Sequence, residues 1–85
     1  MAWKLKQDSS HVLRVKFIDG NKRTLYSMDW QHQFSKYKDP EMGLSRLRKK
    51  IGEWGYRAES VAIYINDGKK TGNPIERYAN GTKIN

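Results

Sequence analysis

The chain is 85 residues long, carries 17 Lys and Arg against nine Asp and Glu, and has no cysteine. One domain fits that length, with a small core, because folding at this size buries only about 60–65% of the surface the unfolded chain exposes. The 12% aromatic content supplies burial that disordered chains lack; disulfides and thiolate metal sites are excluded, and no stretch approaches the ~20 apolar residues of a membrane span.

Trp3-Lys4-Leu5-Lys6-Gln7 alternates apolar and basic residues and predicts a first strand, with a turn at Asp8-Ser9-Ser10. Residues 11–18 alternate again and are rich in β-branched side chains. Asp19-Gly20-Asn21 follows, then a return strand over residues 23–30, together a β-hairpin. A two-residue turn at Asp19-Gly20 and one at Gly20-Asn21 agree in parity. Both put Leu13, Val15 and Phe17 on one face with Thr24, Tyr26, Met28 and Trp30.

Asp39-Pro40-Glu41 reads as a helix start: an N-cap, a proline in the first turn, then an early acid. The helix is predicted to run to Trp54 and stop at Gly55. Leu44, Leu47, Ile51 and Trp54 fall within an arc of about 80° on it. Residues 60–66 read as a strand with Val61, Ile63 and Ile65 toward the helix. Residues 69–74 form a loop, 75–78 a short last strand, Asn80-Gly81 a turn, and 82–85 a mobile end. The order β-β-β-α-β-β is an α+β layout: a small single domain, residues 1–85, in which one helix packs on one face of an antiparallel sheet. The core is expected within residues 1–66.

Catalytic and metal chemistry find no support. His11 and His32 lie in different elements and neither has an i, i+4 partner, so no metal and no cofactor is expected. The glycines form no phosphate loop or dinucleotide fingerprint, and no serine sits in a nucleophile motif. Asp8, Asp19, Asp39 and Asp67 fall at turns and caps. The expectation is a protein without enzymatic activity.

Charge points elsewhere. Residues 1–43 hold eight basic and five acidic residues (+3), and residues 44–85 hold nine and four (+5), so the excess is spread over the fold. A basic folded surface raises encounter rates with polyanions. With the apolar parity facing the helix, Lys4, Lys6, Arg14, Lys16 and Arg23 line the opposite sheet face, at roughly 5 Å between strands. Tyr64 joins them from the later strand. Cations beside an aromatic ring suit phosphate contact with base stacking. Arg46, Lys49 and Lys50 form a second basic set on the helix, with Arg48 flanking the apolar stripe. Trp30 and Trp54 are expected in the core, and Tyr37, Tyr64 and Tyr78 as exposed rings. Val12, Ile18 and Leu25 share the outer parity and make that face partly apolar.

The expected function is a small basic nucleic-acid-binding module, with DNA favoured over RNA, of the kind an accessory protein of a phage or mobile element would use. The alternative is an adaptor or inhibitor that docks on an acidic protein. Either is expected as a monomer or homodimer with no membrane partner. A cytoplasmic location is expected because residues 1–6 show no apolar segment of a secretory signal.

Overall fold

The computed structural model describes residues 9–32, 35–66 and 73–84. Its elements run β1 (His11–Phe17), β2 (Lys22–Tyr26), α1 (Pro40–Trp54), a 3-10 turn (Gly55–Arg57), β3 (Ala58–Ile65), β4 (Glu76–Ala79) and β5 (Thr82–Lys83). The strands form one antiparallel sheet in the order β2-β1-β3-β4-β5, and α1 packs on β1 and β3. The α+β architecture with one helix on one sheet face is as expected. The predicted strand over residues 3–7, with Lys4 and Lys6, lies outside the described residues. Among those described, the fifth strand is β5, where a mobile end was expected. Asn80 (φ 52°) and Gly81 (φ 86°) both take the left-handed conformation that a tight two-residue hairpin requires. That turn returns Thr82 and Lys83 onto β4.

The first hairpin closes through three residues rather than two. The Gly20 amide donates to the Phe17 carbonyl at 2.9 Å, and the Phe17 amide to the Asn21 carbonyl at 2.8 Å. Gly20 takes φ 92°, and the Asp19 carboxylate accepts from the Asn21 amide at 2.9 Å. A tight turn followed by a left-handed glycine is a common three-residue hairpin loop. An odd loop length flips every β2 side chain relative to the even-length expectation. Leu13 therefore faces Leu25, Val15 faces Arg23, Arg14 faces Thr24 and Val12 faces Tyr26. Leu25 packs against the core in the place expected for Tyr26, and Tyr26 shares the outer face with Arg14 and Lys16.

The core is Leu13, Val15, Leu44, Leu47, Ile51, Ala58, Val61 and Ile63. Phe17 and Trp54 pack against it and meet edge to face, ring centroids 5.1 Å apart. The helix begins as its sequence predicts. Asp39 Oδ1 accepts from the amides of Glu41 and Met42 at 3.1 and 3.3 Å, and Gly55 (φ 59°) ends the helix. No helix among the described residues is long and apolar enough to cross a membrane.

β2 stops at Tyr26, short of the expected residue 30, because the next residues turn into a buried polar network. Ser27 Oγ accepts from the His11 amide at 3.0 Å, and Ser9 Oγ donates to the Ser27 carbonyl at 2.8 Å. The fully buried Asp29 carboxylate accepts from the Ser10 amide at 2.6 Å and the Ser10 hydroxyl at 3.0 Å. Gly43 lets α1 lie against this carboxylate: a Cβ there would stand 1.8 Å from Asp29 Oδ1. Ile65, expected under the helix, pairs with His11 where the ladder ends in this network, and it is exposed.

Candidate nucleic-acid interface

Strand register sorts the outer face of the sheet into three rows. Tyr26, Val12 and Tyr64 make the first. Thr24, Arg14, Ala62 and Arg77 make the second, and Lys22, Lys16, Ser60, Ala79 and Thr82 the third. Rows lie about 7 Å apart along the strands, and neighbours within a row about 5 Å apart. Ala62, Ser60, Ala79 and Thr24 are short, so an open hollow of about 810 Å³ forms over them. Arg14, Lys16, Lys22, Arg77 and Tyr64 also line it, and among the described residues no Asp or Glu does.

The Arg14 guanidinium carbon lies 5.7 Å from the centroid of the Tyr64 ring. Arg14 pairs with Ala62, so Tyr64 is its diagonal neighbour on the same face, within reach of a long side chain. Lys16 Nζ lies 3.4 Å from Glu59 Oε2 with both side chains about half exposed, a contact of small energetic weight.

Of the residues expected in a site, Arg14, Lys16 and Tyr64 come together here. Arg23 borders the hollow but pairs with Val15, which places it on the parity of the helix-bearing face. That is a correction, and its cause is the three-residue loop. The same shift brings Lys22 opposite Lys16. Lys22 was legible in the sequence to a reading that gave Gly20 its left-handed place in the loop. Arg77 had no such signal, since its position depends on the pairing of β4 with β3.

The helix set divides: its arginine is committed to the chain itself, and its two lysines are solvated. Arg46 Nη1 donates to the carbonyls of Met28 and Trp30 at 3.1 and 2.8 Å, tying the segment after β2 to α1. Lys50 Nζ lies 3.9 Å from Glu53 Oε1. Lys49 is exposed, with no ion partner among the described residues. Arg48 reaches across to Glu76 on the inner face of β4: Nε donates to Oε1 at 3.1 Å and Nη2 to Oε2. The Tyr78 hydroxyl donates to Glu76 Oε1 at 2.6 Å, so Tyr78 sits in this inner network, not on the outer face. Glu76 is only 5% exposed. The Arg48 hydrogen bond nonetheless holds its carboxyl below the usual carboxylate range, outweighing the opposing effect of burial. The same bond raises Arg48. Burial, with the bond to Glu76 second, raises the Tyr78 hydroxyl.

The Ser10 hydroxyl also lies within hydrogen-bond reach of both His11 and Asp29, in the wrong order for a nucleophile. Ser10 Oγ is between the others, 2.8 Å from His11 Nδ1 and 3.0 Å from Asp29 Oδ1. Activating a serine needs the imidazole in the middle. The cluster instead fastens the start of β1 to the segment after β2. No group of three His, Asp or Glu side chains among the described residues could hold a metal ion.

The chain matches no protein-family model, no curated protein and no solved structure.

Proposed function

We propose that the protein is a small nucleic-acid-binding module that meets its ligand with the outer face of the sheet. The observation that carries this reading is one hollow lined by Arg14, Lys16, Lys22, Arg77 and Tyr64, with no Asp or Glu among the described residues of its lining and Glu59 meeting Lys16 only in a solvated contact at its edge. Cations at strand spacing meet successive phosphates, and an aromatic ring at the edge of the same patch offers a base a stacking partner. The competing idea of an adaptor for an acidic protein drew on a partly apolar outer face. Leu25 packs against the core and Ile18 sits in the hairpin turn. Of those three apolar residues only Val12 stays on this face; Pro74 and Ile84 join the lining at the far side, and the cluster of four cations with Tyr64 favours a polyanion.

Fluorescence anisotropy with labelled DNA and RNA oligonucleotides tests the reading. Four engaged phosphates give a slope of log K against log salt of about −2.8 for a single strand and about −3.6 for a duplex. Affinity then falls about 50-fold or about 150-fold as salt rises from about 50 to about 200 mM. The double variant Arg14→Glu/Lys16→Glu is expected to lose at least about 10-fold in affinity while keeping its thermal midpoint. Lys49→Glu/Lys50→Glu is expected to lose far less. Flat curves on every oligonucleotide, or equal losses from the two variants, would overturn the assignment.

A further inference from the structure

We infer that the ligand of the sheet face is a single strand rather than a duplex, with its bases over the hollow and its phosphates on the surrounding cations; this rests on the nucleic-acid reading above. The first argument is shape. Five strands at 4.7–4.9 Å spacing make a face about 19 Å wide. The major groove of B-form DNA is about 12 Å wide and admits a helix or a two-stranded ribbon, and the minor groove is narrower still. A sheet this wide does not fit either groove of undeformed B-form DNA. Against an undeformed duplex it would touch mainly phosphates, and little of the hollow's floor would then be used.

The second argument is the chemistry of the floor. Ala62, Ser60 and Ala79 leave open space just where the register sets Arg14, Lys16 and Arg77 around them. Flat groups fill such a space, and bases become flat, reachable groups only once they are out of a duplex. Tyr64 stands at one end with Arg14 against its ring, so a base has both an aromatic ring and a guanidinium plane to stack on.

The third argument comes from the helix and is independent of the hollow. A helix is one of the elements that fit the major groove, and α1 has two of its four cations engaged by the chain itself. Arg46 is bound to two carbonyls and Arg48 to Glu76.

The test compares three ligands of one length on the intact chain: a thymine single strand, the matching thymine–adenine duplex, and a strand of abasic units that keeps the phosphates and lacks the bases. The single strand is expected to bind at least about 10-fold more tightly than the other two, one stacked base being worth about that factor. Tyr64→Leu is expected to lower single-strand affinity about 10-fold and leave duplex affinity within about twofold. Tyr64→Phe should bind like the wild type, since the stacking ring remains. A deoxyribose and a ribose version of the strand show which sugar the face prefers. Duplex binding as tight as single-strand binding overturns the inference and leaves the nucleic-acid reading standing. So does an abasic strand that binds as well as the thymine strand, an outcome that needs no variant to fold. Absence of binding to all three overturns both.

Discussion

Arg48→Ala should destabilise the domain by about 2–3 kcal/mol. Glu76 is nearly fully buried and accepts from Arg48 through both carboxylate oxygens, with Tyr78 as the remaining side-chain donor. Removing one partner of a fully buried pair costs about 3–5 kcal/mol, because the other charge is left without compensation. The Arg48 side chain is 46% exposed, so water entering the vacated space recovers part of that cost, and the lower range applies. For a domain of this size the corresponding fall in thermal midpoint is about 8–24 °C. Arg48→Met/Glu76→Met removes both charges and should stay within about 1 kcal/mol of the wild type. Urea denaturation followed by circular dichroism compares the three chains.

The pH dependence has a definite sign. The folded-state pKa of Glu76 is depressed, so its contribution is complete above the unfolded carboxylate value of about 4.3 and is lost as pH falls through the lower folded value. In Arg48→Ala the same carboxyl should titrate higher, and its protonation relieves the penalty. The gap between wild type and variant should therefore narrow as pH drops from about 5 to about 3. A variant within about 0.5 kcal/mol of the wild type at neutral pH, or a gap that does not change with pH, would refute the reasoning. Because Arg48 serves the inner face, Arg48→Ala should also leave oligonucleotide affinity within about threefold.

Three further substitutions probe the frame around the site. Gly43→Ala drives a Cβ to 1.8 Å from the buried Asp29 carboxylate and should cost about 3 kcal/mol or more in urea denaturation; wild-type stability would show that the contact yields without cost. Gly81→Ala combines a left-handed φ of 86° with a Cβ 2.8 Å from the Gly55 backbone. It should release β5, read as faster hydrogen exchange at the Ile84 amide, which bonds the Arg77 carbonyl; unchanged protection of that amide would refute this. Arg46→Ala severs two bonds to the Met28 and Trp30 carbonyls and should cost about 1 kcal/mol. A fall in oligonucleotide affinity beyond about threefold would instead return Arg46 to the binding surface.

Local signals are legible in the sequence and strand register is not. The Asp39 cap, Pro40, the Leu44–Leu47–Ile51 stripe and the stop at Gly55 each depend on residues a few positions apart, and all recur in the fold. The hairpin around Gly20 is legible in kind, yet its loop is one residue longer than the two-residue turn expected, enough to exchange Leu25 with Tyr26 and Lys22 with Arg23. Asn80-Gly81 was legible as a turn, but the strand after it is only two residues long and has no periodicity to detect. Arg77 and Glu76 are neighbours in sequence on opposite sheet faces, and only the pairing of Ala62 with Arg77 and Ile63 with Glu76 decides which is which.

That alternation explains why net charge alone was a blunt guide to the site. The arginines of the two sides take two chemical roles. On the inner side and on α1, Arg46 and Arg48 are held by the chain's own carbonyls and by a buried carboxylate, so their donors are spent on folding. On the outer side Arg14, Lys22 and Arg77 stand around short side chains, and Glu59 meets Lys16 in a solvated contact. A cation whose donors are occupied in the folded chain has little to offer a phosphate, however exposed its side chain. Lys49 and Lys50 stay solvated on α1, so the variants that separate Arg14 and Lys16 from them decide which cations a polyanion meets.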